Sequence, residues 1–242
     1  MRPVNKGLSP YTKISEYQKA KAPLIERLGP YCSYCEMDIC HMPEVEHVVS
    51  KSEGGNWTEW NNLLLGCRYC NSRKNATTTP ENEKDYFWPD ENNTALAYCY
   101  EEGLPTVNNK QLQEVDSSGE AERKAENLYQ LLQLGNVSTL AKRDARCDRR
   151  MEAYSVAIDS LNDWQYMKSK EDAQLFARQI ARTAAGYGFF SVWMEVFKDE
   201  PVVKRTLIEI FPGTETRFFD ADGNVKPILH VEELEAATEA AT

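Results

Sequence analysis

Two closely spaced cysteine pairs constrain this chain more than any other feature of its sequence. Cys32 and Cys35 form one Cys-x2-Cys turn, Cys67 and Cys70 form a second, and the 31 residues 36–66 separate them. Each turn can present two thiolates to one ion, and two turns complete the tetrahedral ligand set of zinc. We predict a structural zinc site, with buried free thiols or redox chemistry as the alternative.

The segment between the pairs is longer than the roughly 15 to 20 residues of the common zinc-ribbon pattern, so a functional element is expected inside it. The remaining cysteines have no close partner in the sequence, and we expect them to be buried as small apolar residues. They are Cys40, Cys99 and Cys147.

Composition and charge limit the classes of protein to consider. No apolar run approaches the roughly 18 residues of a membrane span, and the polar N-terminus does not resemble a secretory signal, so we expect a cytoplasmic protein. The net charge of −10 argues against indiscriminate nucleic-acid binding. Residues 1–79, with ten basic and eight acidic side chains, sum to +2, whereas residues 183–242, with five and eleven, sum to −6. The acidity therefore lies away from the cysteine pairs.

Hydrophobic periodicity predicts an α+β protein in two parts. A helix is expected over residues 13–29, then a hairpin followed by a helix at the cysteine pairs, and a further hairpin over residues 95–107. Helical spacing dominates after a boundary placed near residue 110.

The segment around the second cysteine pair carries a specific constellation of polar residues. Glu46 precedes His47, Asn62 follows about fifteen positions later, and Asn71 comes directly after Cys70. This order and spacing resemble the zinc-stapled HNH endonucleases, which use a ββα-metal site. The resemblance covers about residues 30–75. It implies a small HNH core with its zinc site in residues 1–110, ahead of the mainly α-helical domain that periodicity predicts in residues 111–242.

Phosphodiester hydrolysis requires an activated water, a cation on the phosphate and stabilisation of the departing 3′ oxygen. Neutral His47 can accept the proton of water, and Glu46 and Asn71 offer the oxygen ligands that Mg²⁺ or Mn²⁺ prefers. By resemblance, Asn62 orients the hairpin through hydrogen bonds. Strand alternation sends Glu46 and His47 to opposite faces, so a bend must bring both to one phosphate. The family more often has Asp at this position, which leaves Glu44 as an alternative ligand.

Basic side chains cluster around the motif and are expected to contact phosphates, with ordinary solvated charge as the alternative: Lys51, Arg68, Arg73 and Lys74. The run from residue 142 to Arg150 alternates basic with acidic residues. It fits a salt-bridged helical face as well as a nucleic-acid groove.

The opening of the chain, the segment around Cys32 and the segment Asp85–Asp90 resemble a narrower group, the PtuB proteins, which are HNH subunits of Septu anti-phage systems. Such subunits act with a companion ATPase, PtuA. No Gly-x4-Gly-Lys-Ser/Thr motif is present, so ATP hydrolysis would come from that partner. We expect the helical half to dock on it, first because the −6 charge of residues 183–242 would repel phosphates, and second because part of a dense apolar group is expected to be exposed, with a role in the core as the alternative. The group is Phe189, Phe190, Trp193, Met194 and Phe197.

Two functions follow from these observations. The favoured one is a metal-dependent endonuclease, the effector of an anti-phage complex, with DNA preferred and RNA open as substrate. The alternative is a zinc-stapled module that binds nucleic acid or protein without catalysis.

Overall fold

The first half of the chain builds a small hairpin and helix around the cysteine turns. A computed structural model describes residues 1–141 and 143–239. Helix α1 (Lys21–Leu28) follows a short 3₁₀ turn and is terminated by Gly29. It is therefore shorter than the helix predicted over residues 13–29. Strands β1 (Glu44–His47) and β2 (Leu63–Gly66) pair antiparallel, with His47 opposite Leu63. Helix α2 (Arg68–Lys74) follows directly.

A second hairpin connects this unit to the rest of the chain. Helix α3 (Thr94–Ala97) leads into strands β3 (Tyr98–Glu101) and β4 (Leu104–Val107), which also pair antiparallel. Their turn places Glu102 and Gly103 at φ values of 48° and 82°. Positive φ at both central residues is the requirement of the tight hairpin turn that matches strand twist, and glycine meets it without steric cost.

The remainder is helical and confirms the predicted α+β class with a helical C-terminal half. Its helices are α4 (Asn109–Val115), α5 (Glu120–Leu132), α6 (Ala145–Met167), α7 (Ala173–Tyr187), α8 (Phe190–Val196), α9 (Pro201–Ile210) and α10 (Val231–Glu239). Across the described ranges, none of the helices is both long and apolar enough to span a bilayer.

Two hydrophobic clusters form the core. The first joins α1, the β1–β2 hairpin and the cysteine turns to α5, and the second lies among α6, α7, α8 and α9. The predicted boundary near residue 110 falls within α4, and the first cluster contains Leu63, Leu112 and Leu128 from both sides of it. The Ser191 amide and hydroxyl also donate to the buried Glu36 carboxylate, at 2.8 and 2.6 Å. The division into two domains stays a prediction.

The expected apolar docking group does not form an exposed face. Phe189, Phe190, Trp193 and Phe197 are all buried, and Met194 is half-buried. The physical reason is the position of α8, which packs against α6, α7, α9 and β3. A helix covered on several sides is apolar around most of its circumference. The group is therefore core, and the docking expectation built on its exposure was wrong.

Candidate functional site

The four paired cysteines converge on one point. Their sulfur atoms lie within 4.8 Å of one another, and all four residues are buried. The Cys35 and Cys67 sulfurs are 3.7 Å apart. Zn–S bonds of about 2.3 Å in a tetrahedron place sulfurs about 3.8 Å apart, so this donor set fits zinc. The other cysteines differ from expectation in part, since Cys147 is buried, Cys99 is half-buried and Cys40 is exposed.

Local hydrogen bonds fix the two turns that carry these thiols. The Ser33 amide donates to the Leu65 carbonyl at 2.8 Å, which attaches the first turn to β2. Glu36 closes that turn at a φ of 65°. The Cys67 sulfur caps α2 by accepting from the Cys70 amide at 3.3 Å. A metal held by the four thiols would therefore join the start of α2 to the hairpin.

Arg146 is a contact to this cluster that no sequence pattern identified, because it lies 76 positions from Cys70. Its buried guanidinium donates to the Cys70 sulfur at 3.4 Å and to the Leu132 carbonyl at 2.8 Å. It also donates to Asp144 and to the Gln133 carbonyl. Zinc with four thiolates carries a net charge of −2, which a buried cation offsets. Arg150, from the same basic run, is also buried, and Lys142 lies outside the described residues.

His47 ends β1 in a half-buried position. Its Nε2 lies 3.1 Å from the Trp57 carbonyl oxygen, and the Tyr17 ring packs edge-on at 4.8 Å between ring centres. A carbonyl only accepts, so Nε2 carries the proton and Nδ1 of the neutral ring keeps its lone pair. Burial lowers the pKa of His47, with further lowering by Lys74 and Lys51 and an opposing effect of the Trp57 carbonyl. The imidazole is thus neutral at pH 7.

Asn62 fastens the loop between the two strands. Its Oδ1 accepts from the Val49 amide at 2.7 Å, while its Nδ2 donates to the Val49 and Asn56 carbonyls, both at 3.1 Å. The Val48 amide also donates to the Asn62 carbonyl at 3.0 Å. These bonds hold the loop that supplies the Trp57 carbonyl to His47. Asn62 thus acts on the hairpin and not within the cleft.

Asn71 lies in the first turn of α2 and contacts one of the two candidate carboxylates. Its Nδ2 donates to Glu44 Oε2 at 2.7 Å. An amide that donates through nitrogen keeps its oxygen as an acceptor, which is the type of ligand that Mg²⁺ prefers.

Glu46 is held by a buried ion pair. Its Oε1 lies 2.9 Å from Lys74 Nζ, and its Oε2 accepts from the Tyr34 hydroxyl. Burial raises the pKa of Glu46 to about 7, against the opposing effects of Lys74 and Tyr34. Gly66, which pairs with Glu44 across the hairpin, lies so close that an added Cβ would come within 3.1 Å of the Glu46 side chain. The sequence motif did not anticipate these contacts of Lys74 and Tyr34, which together occupy both carboxylate oxygens expected to bind metal.

The four basic residues expected at phosphates divide into two groups. Lys51 and Arg68 are exposed. Arg73 pairs with Asp144 at 3.0 Å. The Lys74 side chain is 1% exposed, and besides Glu46 its ammonium donates to the Val48 carbonyl at 3.1 Å and to Thr78 Oγ1 at 2.8 Å. All three donors of this ammonium are used within the protein, so Lys74 does not fit the expected phosphate contact.

A cleft of about 550 Å³ brings several of the predicted residues together. It is lined by Glu46, His47, Ser50, Lys51, Ser52, Asn71, Ser72, Lys74, Asn75 and Ala76. The candidate base, one candidate amide ligand and one exposed cation therefore share a single polar surface. Asn62, Arg68 and Arg73 are not part of this lining.

A small antiparallel hairpin followed by a helix thus carries four convergent thiols and an imidazole beside a polar cleft. Residues 32–77 match the family model described as HNH endonuclease. This match supports the HNH resemblance for that segment and indicates a nuclease with metal-binding capacity. No curated protein and no solved structure matches the chain.

Proposed function

We propose that this protein is a metal-dependent endonuclease that hydrolyses phosphodiester bonds in nucleic acid. The observation that carries the proposal is the hydrogen bond from His47 Nε2 to the Trp57 carbonyl. It selects the tautomer whose Nδ1 can accept a proton, and His47 borders a cleft shared with Asn71. A base whose tautomer is fixed by a backbone acceptor is suited to activating water.

His47 removes a proton from water, and the Trp57 carbonyl steadies the imidazolium that forms. A bound Mg²⁺ or Mn²⁺ would supply the charge that stabilises the phosphate and the departing 3′ oxygen. Lys51, exposed at the cleft, attracts the nucleic-acid backbone, and Arg68 extends that positive surface. Cys32, Cys35, Cys67 and Cys70 would hold a structural zinc that joins the hairpin to α2, apart from the reacting groups.

The catalytic metal is proposed to bind Asn71 Oδ1 together with one carboxylate, and each candidate has one observation in its favour. Glu46 lines the cleft but requires Lys74 to move aside, whereas Glu44 already contacts Asn71. The variants Glu46→Gln and Glu44→Gln separate them. The true ligand is the one whose loss raises the Mg²⁺ concentration needed for half-maximal cleavage.

DNA is the preferred substrate because of the HNH match, and RNA is the alternative because the same site chemistry attacks any phosphodiester. The test incubates the purified protein with plasmid DNA and with RNA, with and without Mg²⁺ or Mn²⁺. His47→Ala should reduce cleavage by roughly 10²- to 10⁴-fold without changing the thermal melt, since it removes a general base. His41→Ala, at an exposed histidine, is the matched control and should cleave like wild type. Equal cleavage by both variants would contradict the assignment of His47.

A second candidate is a non-catalytic binding module, and the Glu46–Lys74 pair favours it. A carboxylate neutralised by an internal cation has a reduced affinity for a divalent ion. This candidate predicts nucleic-acid binding without cleavage at any Mg²⁺ or Mn²⁺ concentration, alone or with partners.

We further propose that the enzyme serves as the effector nuclease of a cytoplasmic anti-phage complex with a PtuA-like ATPase. Support comes from two segments that resemble PtuB proteins, the opening of the chain and Asp85–Asp90. These segments meet in the fold, where Lys6 pairs with Asp90 at 2.6 Å. The −6 charge of residues 183–242 favours a protein partner over nucleic acid in that region. The test is size-exclusion chromatography of the tagged chain co-expressed with a PtuA-type ATPase, in which separate elution would refute the pairing.

A further inference from the structure

One tryptophan differs from all the others in exposure. The described residues include all five tryptophans of the chain, and Trp60, Trp88, Trp164 and Trp193 are at most 3% exposed. Trp57 is 41% exposed. Large aromatic side chains contribute most to stability when buried, so the exposed ring of Trp57 adds little to the core.

Trp57 lies directly beside the candidate base. Its carbonyl oxygen accepts the hydrogen bond from His47, so its backbone is fixed by the site itself. Lys51 Nζ lies 5.0 Å from the Trp57 ring centre and 5.6 Å from the ring centre of Tyr17. Tyr17 in turn packs against His47. Trp57 and Lys51 are exposed at this point, and Tyr17 is half-buried beside them.

Aromatic rings and a cation together match the chemistry of an unpaired nucleotide. A base stacks on an aromatic face whatever its sequence, and a nearby ammonium neutralises the adjoining phosphate. A paired base in a duplex already stacks on its neighbours, and taking it out costs a few kcal/mol. A stacking surface beside the catalytic imidazole therefore favours strands whose bases are free.

We propose that Trp57 stacks on an unpaired base next to the scissile phosphodiester, which makes single-stranded or locally unpaired nucleic acid the substrate class. The inference rests on the proposed nuclease function and narrows it. Single exposed apolar residues are common on protein surfaces. Trp57 differs from them in two respects. Its own carbonyl orients the His47 imidazole, and its ring contacts Lys51, a cation that lines the cleft.

The exposure pattern allows a direct binding test. The full chain, without added divalent cation, is titrated with single-stranded DNA, single-stranded RNA and a duplex of the same sequence while tryptophan fluorescence is recorded. We expect saturable quenching by one or both single strands, with tighter binding than to the duplex. Trp57→Ala should weaken single-strand binding about 5- to 100-fold, the equivalent of one stacked base, and leave duplex binding nearly unchanged.

Two further variants make the result specific. Trp57→Phe keeps a stacking ring and should retain most of the affinity while losing the quenching. Tyr166→Ala removes a ring that is 77% exposed on α6 and should bind like wild type. Wild-type affinity of Trp57→Ala for both single strands would overturn the proposal, as would unchanged fluorescence of the wild type at saturation.

The outcomes also separate this inference from the nuclease function. Selective, Trp57-dependent binding of single strands without cleavage would support the stacking surface and refute the nuclease. Cleavage that depends on His47 but is unchanged by Trp57→Ala on every substrate would refute the stacking role and leave the nuclease intact. The DNA and RNA arms show which single strand is preferred.

Discussion

At the scale of single residues, the motif named candidate side chains but not their surroundings in the fold. The types and spacing of His47, Asn62 and Asn71 are visible in the sequence and carry the resemblance to HNH endonucleases. The carbonyl of Trp57 and the burial of Lys74 were not predictable, because both depend on the path of the loop that Asn62 fastens. A sequence pattern gives no information about such a path.

The buried pair of Glu46 and Lys74 leads to a stability prediction. Removing one partner leaves an uncompensated buried charge, which costs about 3 to 5 kcal/mol. We therefore expect Lys74→Met to lower the free energy of unfolding by about that amount, as measured by urea denaturation. The double variant Glu46→Gln, Lys74→Met should lose clearly less than the sum of the single losses. Additive losses would show that the two side chains do not act as a pair.

At the scale of elements, α2 concentrates structural and candidate catalytic positions in two turns. Cys67 caps the helix, Cys70 and Asn71 follow, and Lys74 ends it. The hairpin, the helix and the convergence of the cysteines were predictable, since Cys-x2-Cys turns impose a local geometry. The Arg146 contact was not, because α6 reaches the cluster through tertiary packing.

Removing one thiol should separate the structural metal from the catalytic one. Cys67→Ser leaves three thiolates while a serine can still cap α2, so the change acts on the metal, and we expect purified protein with little zinc and a lowered melting temperature. Elemental analysis and thermal denaturation measure these effects. Cys40→Ser changes an exposed cysteine outside the cluster and should keep both properties. Mild EDTA treatment should stop cleavage while the zinc stays bound, and folded wild-type protein lacking zinc would refute the assignment.

Arg146 should slow the loss of zinc. Its guanidinium donates to the Cys70 sulfur and offsets the negative charge of the zinc-bound thiolates. Arg146→Met should therefore increase the rate of zinc transfer to a chromogenic chelator. We expect an increase of roughly 10- to 100-fold, which is the usual loss of metal affinity when a residue that contacts a metal ligand is replaced. Arg149→Met, at an exposed position on the same helix, is the matched control. Equal release rates in the two variants would show that Arg146 serves packing alone.

At the scale of the whole molecule, hydrophobic periodicity indicated an α+β protein with a helical half but not how its parts join. The aromatic residues from Phe189 to Phe197 fit an exposed docking face and a buried helix equally well in sequence. Only the position of α8 among several neighbours decides for the core. The −6 charge of residues 183–242 is a property of the sequence alone, and it supports the proposed protein partner independently of that aromatic group.

The last prediction concerns a fragment ending at residue 110. The first hydrophobic cluster takes Leu112, Leu128 and Leu132 from beyond that point, and Ser191 satisfies the buried Glu36 carboxylate. A fragment without these residues exposes the apolar side chains that pack against them and leaves the Glu36 carboxylate with fewer hydrogen-bond donors. We expect residues 1–110, purified with zinc, to lack a cooperative thermal transition that the full chain shows. Ser191→Ala in the full chain should preserve the transition and lower its midpoint. A cooperative melt of the fragment would instead establish residues 1–110 as an independent domain.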